Sequence, residues 1–213
     1  DTYKVAAVLF EIVRGEGGVL PLEKSFVDAL EKEAAAHDFL LMCDEVQCGN
    51  GRSGTLYAYM QYGLSPDVVT TAKGLGGGLP LGVTLLGDKV ADLFTPGSNG
   101  STFGGNPIAA AGALYVLSGL DDDLLAGVSR KSEQIRAALT GAPGVESVTG
   151  LGLMLGVQTT LPAKEVASRC IKRGVLVLTA KDKVRLLPAL NIPDDLLMQA
   201  IGILKDICAE GVQ

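Results

Sequence analysis

PDVVTTAKGLGGGLPLG, residues 66–82, joins a short apolar run to a lysine and a cluster of glycines. The run is rich in valine and threonine, which predicts a buried strand over Val68–Ala72 that ends immediately before Lys73. An earlier apolar run, FLLMCD, predicts a strand over Phe39–Asp44, and an amphipathic helix over Leu22–His37 precedes it. This alternation of strands and helices predicts an α/β fold with a mostly parallel sheet covered by helices.

The remaining apolar runs predict two domains. The polar break at Asp121–Asp123 separates the strand–helix alternation, 1–120, from a smaller α+β domain, 121–213, in which hairpin-like strands mix with helices. The expected further elements are strands at Val5–Phe10, Val83–Gly87, Val145–Val148, Gly152–Gln158, Val175–Leu178 and Val184–Leu187, and helices at Pro107–Ser118, Leu124–Leu139, Ala163–Arg173 and Asp194–Ala209.

Composition excludes several classes of protein. The chain has 213 residues and a net charge of −6, which argues against a nucleic-acid-binding surface. The apolar run Ile108–Leu117 is far shorter than the roughly 20 residues that a membrane-spanning helix needs. The four cysteines form no CxxC pair and have no histidine cluster beside them, so we expect no metal site. Reduced, buried thiols are the expectation, which fits a cytoplasmic protein.

The start of the chain is unusual. There is no initiator methionine, and an apolar run from Tyr3 to Phe10 begins almost at once. This run predicts a buried strand, and buried parallel strands need neighbours on both sides. We therefore expect a C-terminal fragment of a longer chain, with a trimmed tag as the alternative.

The glycine cluster after Lys73 fits neither of the common phosphate-binding loops. In a Walker loop the lysine follows the glycines, and the spacing of Gly74 and Gly76 does not complete a dinucleotide fingerprint. Asp44 and Lys73 lie about one strand–helix–strand unit apart and could face one site. Pyridoxal phosphate needs such a pair, because a lysine amine takes its aldehyde and an acid keeps its ring nitrogen protonated. An ordinary Asp–Lys ion pair explains the same spacing.

Five motifs in order resemble the class-III, ornithine-type aminotransferases. They are EIVRGEGG (11–18), DEVQCGNGRSGT (44–55), PDVVTTAKGLGGGLPLG (66–82), STFGGNP (101–107) and RLLPAL (185–190). The resemblance covers essentially the whole chain and implies the fold-type-I architecture of pyridoxal-phosphate-dependent transferases. It also implies that the family's N-terminal portion is absent. Ile12 and Arg14 depart from the family's pattern but leave Glu16 in register.

The resemblance implies roles for four residues around the cofactor. Lys73 would hold pyridoxal 5'-phosphate as a Schiff base and then move a proton at the substrate α-carbon. Asp44 would pair with the ring nitrogen, Val46 would pack on the ring face, and Gln47 would hydrogen-bond near the phenolic oxygen.

The resemblance also implies contacts with phosphate and substrate. Ser101 and Thr102 would bind the cofactor phosphate, and the threonine would reach the phosphate of a neighbouring subunit, which implies a homodimer. The alternative for these two residues is ordinary turn chemistry. Arg185 would bind the substrate α-carboxylate in a bidentate manner, and Glu16 would neutralise it when a monoamine donor is bound. Glu11 lies in the same motif as Glu16, and its two alternative roles are structural support and a part in the chemistry.

The function that the resemblance implies for the full protein is that of a transaminase, which we expect to be incomplete in this fragment. It would move an amino group between N-acetylornithine and 2-oxoglutarate in arginine biosynthesis, with amino-acid and 2-oxo-acid substrates. The alternatives are another class-III aminotransferase acting on ornithine, succinylornithine or 4-aminobutyrate, or an inert fragment that acts only as a binding or assembly module. His37, the only histidine, is expected at a helix end without a catalytic role.

Overall fold

The computed structural model describes residues 4–212. The strands are β1 (Ala7–Phe10), β2 (Val13–Arg14), β3 (Leu20–Pro21), β4 (Leu40–Asp44), β5 (Val68–Thr71), β6 (Val83–Leu86), β7 (Val145–Leu151), β8 (Met154–Thr159), β9 (Leu178–Ala180) and β10 (Lys183–Leu186). The helices are α1 (Lys24–His37), α2 (Pro107–Ser118), α3 (Asp122–Leu139), α4 (Ala163–Lys172) and α5 (Asp194–Ala209).

The chain forms two compact units. Among the described residues, the first contains 4–12, 22–50 and 55–121, and the second contains 13–21, 51–54 and 122–212. Two short segments from the first half of the chain therefore belong to the second unit. The predicted division into a cofactor-binding domain, 1–120, and a small domain, 121–213, stays a prediction, including the role in cofactor binding that it gives to the first domain.

The first unit contains a four-stranded sheet in the order β1–β4–β5–β6. Strands β1, β4 and β5 are parallel, whereas β6 runs antiparallel to β5. The sheet is therefore mostly parallel, which confirms the predicted α/β class. Helix α2 begins with Pro107 at its first position and is capped by the side chain of Asn106, which accepts hydrogen bonds from the first backbone amides.

The prediction of a buried first strand is wrong for the residues that the structure describes. Val5 is 57% exposed and Leu9 is 62% exposed, and β1 lies at one edge of its sheet as described. A strand with a neighbour on one side only leaves part of its surface to solvent. The start of this apolar run, Tyr3, lies outside the described residues.

The second unit contains a four-stranded antiparallel sheet in the order β7–β8–β10–β9. Side chains alternate between its two faces, because successive residues of a strand point in opposite directions. One face carries Leu155 and Val184, which belong to the same core as Ile135, Val166 and Leu204 of helices α3, α4 and α5.

The other face of this sheet lies under the hairpin formed by β2 and β3. Gly156 of β8 pairs with Arg185 of β10 and with Thr149 of β7, so all three residues point to this face. A Cβ atom on Gly156 would lie 2.9 Å from Cβ of Val19, which shows how closely the hairpin approaches. The hairpin was not predicted, because each of its strands has only two residues.

Candidate active site

Asp44 and the segment that carries Lys73 lie on neighbouring parallel strands. Asp44 is the last residue of β4 and pairs with Thr70 of β5, three residues before Lys73. Functional groups in open α/β sheets collect at the carboxyl ends of parallel strands, and both residues occupy such ends. The pairing of β4 with β5 thus brings the predicted acid and the predicted lysine to the same end of the sheet, where both strands have their carboxyl ends.

The carboxylate of Asp44 is held by two hydrogen bonds. Its Oδ1 atom accepts from the backbone N–H of Val46 at 2.9 Å and from Oγ1 of Thr70 at 3.2 Å. Both donors bind the same oxygen, so they define the orientation of the carboxylate. The other oxygen, Oδ2, is the one suited to accept from a further donor. Sequence analysis did not assign Thr70, although it precedes Lys73 in the same motif.

Lys73 begins a short 3-10 turn, Lys73–Gly76, directly after β5. Its side chain is exposed and its backbone has φ of 49°, a conformation that residues other than glycine rarely adopt. A Cβ atom on the following residue, Gly74, would meet no atom within 4 Å, so the backbone there borders open space. The turn therefore presents an amine beside a space into which a ligand can approach closely.

Val46 and Gln47 follow Asp44 in a turn at the end of β4. The turn is closed by a hydrogen bond of 2.9 Å from the backbone N–H of Gly49 to the carbonyl of Glu45. Both side chains are half-buried. Their predicted contacts with the cofactor ring stay predictions.

Glu45 has a different environment from its neighbour Asp44. Its side chain is fully buried and accepts hydrogen bonds from the backbone N–H groups of Ala58, at 3.0 Å, and Tyr59, at 2.9 Å. The thiol of Cys48 donates to it at 3.1 Å. Burial raises the pKa of Glu45, and these donors oppose the shift. The sequence shows only an adjacent pair of carboxylates, and these partners show that Glu45 holds the segment 58–59.

Ser101 and Thr102 are exposed in the loop before α2. The backbone N–H of Gly104 donates to the carbonyl of Ser101 at 3.1 Å, which defines a turn. Within residues 4–212, the structure describes no hydrogen bond from either hydroxyl to Asp44 or Lys73. Phosphate binding by these residues stays a prediction.

Arg185 and Glu16 form an ion pair in the second unit. Nη1 of Arg185 lies 2.7 Å from Oε1 of Glu16. The Arg185 side chain is 10% exposed, whereas that of Glu16 is 73% exposed. A buried guanidinium with an exposed, solvated partner can exchange that partner for a ligand carboxylate, because both offer oxygen acceptors for the planar N–H groups.

Arg52 holds the segment that follows Arg185. Its guanidinium donates to the carbonyl of Pro188 and, at 3.2 Å, to that of Leu153. Its own carbonyl accepts from the backbone N–H of Leu153 at 2.9 Å. Burial lowers the pKa of Arg52. Sequence analysis did not assign this residue, since a single arginine in a glycine-rich loop gives no local sign of partners 100 residues away.

The other sequence expectations concern residues outside the two clusters. His37 ends α1 and is exposed, with Nε2 3.3 Å from a carboxylate oxygen of Glu33, as expected for a helix-terminal histidine. All four cysteine side chains are buried, as expected, and the structure describes no disulfide between them in residues 4–212. The role of Glu11 stays open.

Comparison with known proteins identifies the family. Residues 1–208 match the model of the class-III aminotransferases, and the chain belongs to this family. It is 46% identical over 208 residues to the acetylornithine aminotransferase of Haemophilus ducreyi, covering 97% of this chain and 53% of that protein. The predicted resemblance is confirmed.

Solved structures agree with this assignment. The N-acetylornithine aminotransferase of Stenotrophomonas maltophilia superposes with a TM-score of 0.87 at 38% identity, covering 97% of this chain and 57% of that chain. An ornithine aminotransferase of Toxoplasma gondii, whose structure has partial occupancy of pyridoxal phosphate at the active site, gives 0.88 at 28% identity, covering 96% and 51%. The fold-type-I architecture is confirmed.

The chain spans about half the length of the relatives that it matches. Class-III aminotransferases depend on pyridoxal phosphate, so the predicted cofactor is confirmed for the family. The residues described here fit that group, since an oriented carboxylate and an exposed amine occupy neighbouring strand ends. Across residues 4–212, none of the helices is both long and apolar enough to cross a membrane.

Proposed function

We propose that the protein containing this chain transfers an amino group between N-acetylornithine and 2-oxoglutarate, in arginine biosynthesis. The observation that carries the proposal is the pairing of Asp44 with Thr70, which places the acid and the Lys73 turn on adjacent strand ends. The 46% identity to an acetylornithine aminotransferase supports the choice of donor.

Pyridoxal phosphate, when bound, supplies an aldehyde that captures amines and a ring that withdraws electrons from the substrate α-carbon. In the proposal, Lys73 binds the aldehyde and later carries the proton that leaves or joins the α-carbon. Asp44 keeps the ring nitrogen protonated through its charge. Val46 covers the ring face, and Gln47 binds near the phenolic oxygen.

Arg185 is proposed to bind the carboxylate of amino-acid and 2-oxo-acid substrates. Its low exposure supports this role, because a desolvated guanidinium binds a carboxylate more strongly than an exposed one does. Glu16 is proposed to neutralise Arg185 when the site holds a donor without a second carboxylate. The high exposure of Glu16 supports this, since it can turn into solvent at low cost.

A homodimer is proposed for the complete protein, with Ser101 and Thr102 binding cofactor phosphates. The side chain next to them, Phe103, is 83% exposed, and Tyr115 of α2 is 82% exposed. Apolar surface of this kind is typical of sites that another polypeptide covers. Analytical ultracentrifugation tests this proposal, and a monomer at micromolar concentration contradicts it. The cytoplasm is the proposed compartment, and four buried thiols with no disulfide between them in residues 4–212 support it.

The test of the function uses the longest open reading frame that contains this chain. Pyridoxal phosphate should produce a visible absorption band that Lys73→Ala abolishes and that the matched variant Lys32→Ala, on the exposed surface of α1, retains. N-acetylornithine should then be consumed faster than ornithine, succinylornithine or 4-aminobutyrate. Equal or faster turnover of 4-aminobutyrate would refute the proposed donor, and absence of the band in both proteins would support an inert binding module instead.

Ornithine is the strongest competing donor. Ornithine δ-aminotransferase of Plasmodium falciparum superposes with a TM-score of 0.89, although its identity is only 29%. The same competition assay distinguishes the two donors.

A further inference from the structure

The turn that carries Lys73 has an unusual backbone. Lys73 has φ of 49°, which lies in the left-handed region. Residues other than glycine adopt the left-handed conformation of Lys73 only when the surrounding structure holds them there. The hydrogen bonds of the peptide group between Ala72 and Lys73 therefore help to hold this backbone conformation, which sets the direction in which the Lys73 side chain leaves the turn.

Asn50 supplies one of these hydrogen bonds from another part of the first unit. Its Nδ2 donates to the carbonyl of Ala72 at 3.1 Å and to Oγ1 of Thr71 at 3.0 Å. The Thr71 hydroxyl in turn lies 3.3 Å from Oδ1 of Asn50. The same Ala72 carbonyl accepts a hydrogen bond of 3.1 Å from the backbone N–H of Leu75, which closes the 3-10 turn.

The Asn50 side chain is well suited to this task. It is 7% exposed, so its bonds to Thr71 and Ala72 compete little with water. Its own backbone has φ of 54°, which asparagine tolerates better than most residues do. A side chain with both a donor and an acceptor on one planar group is needed here, because Ala72 offers only an acceptor while the Thr71 hydroxyl both donates and accepts.

We propose that Asn50 is a positioning residue that holds the Ala72–Lys73 peptide so that the Lys73 amine meets the cofactor aldehyde. Asn50 acts through the backbone and does not touch the cofactor. The proposal rests on the proposed function of Lys73. It adds that cofactor attachment also depends on Asn50, a residue that does not contact the cofactor.

The experiment compares two substitutions of Asn50 in the longest open reading frame that contains this chain. Asn50→Gly removes the amide and keeps a residue that adopts positive φ, whereas Asn50→Asp keeps the size of the side chain and replaces the donor to Ala72 by an acceptor. Asp38→Gly is the matched control, because Asp38 also has positive φ, 53°, and lies on the exposed end of α1.

The first measurement is the rate at which added pyridoxal phosphate becomes attached to Lys73, followed by borohydride reduction and peptide mass spectrometry. Both Asn50 variants should slow this rate by about tenfold or more, because a misplaced reacting group loses the benefit of orientation. The pH midpoint of the visible absorption band should also shift in both variants. Asp38→Gly should change neither quantity.

Wild-type rates and an unchanged pH midpoint in folded Asn50→Gly and Asn50→Asp would overturn the proposal while leaving the role of Lys73 intact. Failure of the wild-type protein to attach the cofactor at Lys73 would overturn the proposed function itself. Circular dichroism checks folding, and loss of folding in both variants would assign Asn50 to stability alone and would also overturn the positioning role.

Discussion

Arg185 donates a hydrogen bond to Glu16, with 2.7 Å between Nη1 and Oε1, although 169 positions separate the two residues in the chain. Arg185 lies in strand β10, whereas Glu16 lies between the short strands β2 and β3. The hairpin thus supplies the counter-charge for a cation that the sheet buries. The two side chains differ strongly in exposure, so the carboxylate is the more solvated partner of the pair.

Substitution of Glu16 should favour ligands with a carboxylate. In Glu16→Gln the Arg185 guanidinium loses its charged competitor, so the Kd for 2-oxoglutarate should fall by about threefold to tenfold, as expected for loss of a competing charged contact. Stability should fall by about 1–3 kcal/mol, because the substitution removes a charged hydrogen-bond partner of the buried Arg185 guanidinium. Isothermal titration calorimetry measures the affinity.

The control for this prediction is Glu146→Gln, which removes an exposed carboxylate of β7 in the same unit. An equal change of affinity in the control would assign the effect to net charge. A weaker affinity in Glu16→Gln would contradict the proposed neutralising role.

Removal of the charge of Asp44 should slow the chemical step while leaving cofactor attachment largely intact. Asn in place of Asp keeps an oxygen acceptor for Val46 and Thr70, but it no longer stabilises a protonated ring nitrogen. We expect kcat of Asp44→Asn to fall by about 100-fold or more, as for other oriented groups that stabilise charge in a transition state. Single-turnover kinetics measure the effect, Asp92→Asn is the exposed control, and unchanged kcat in Asp44→Asn contradicts the assignment.

Glu45 should make stability depend on pH in a defined direction. Burial raises its pKa above the model-compound value of 4.5, so the folded protein keeps this proton at pH values where the unfolded chain has released it. The contribution of Glu45 to the free energy of unfolding is therefore fully present below pH 4.5 and is lost as pH rises through the folded-state pKa.

Urea unfolding of wild type and Glu45→Gln tests this pH dependence. Subtraction of the two free energies removes the other titrating groups, and the difference should decrease as pH rises above 4.5. The substitution should itself cost about 1–3 kcal/mol, because a glutamine amide opposes one of the N–H donors of Ala58 and Tyr59. A difference that increases with pH would be inconsistent with the raised pKa.

Gly156 should tolerate no side chain. A Cβ atom there would lie 2.9 Å from Cβ of Val19 and 3.2 Å from Cδ of Lys183, so Gly156→Ala should lower the free energy of unfolding by about 1–3 kcal/mol through overpacking. Gly202→Ala is the matched control, because a Cβ there meets nothing within 4 Å inside helix α5. The control should stabilise by up to about 1 kcal/mol, and equal thermal stability of the two variants would contradict the argument.

Local patterns predicted most elements. Strands β4 and β5 lie within the predicted runs, and helices α2 and α5 have the predicted bounds, because strong apolar runs, a proline at the first turn and acidic residues in the first turn are local signals. Strand β9 lies at Leu178–Ala180, later than the predicted Val175–Leu178. The antiparallel direction of β6 was not predicted either, because the sequence of a four-residue strand does not show which way it runs relative to its neighbour.

For the candidate site, the residue types and the order of the motifs could be read from the sequence, and together they indicated the family. The sequence alone identified Asp44, Lys73, Glu16 and Arg185 as candidates, but not Thr70, Glu45, Asn50 or Arg52 as residues that hold them or their segments. Apart from the nearby thiols that contact Glu45, their hydrogen-bond partners lie between 13 and 136 positions away along the chain. The periodicity of a strand or helix follows from backbone geometry within a few residues, and the sequence can show it. Which buried donor meets which acceptor depends on how distant segments pack, and only the tertiary structure decides that.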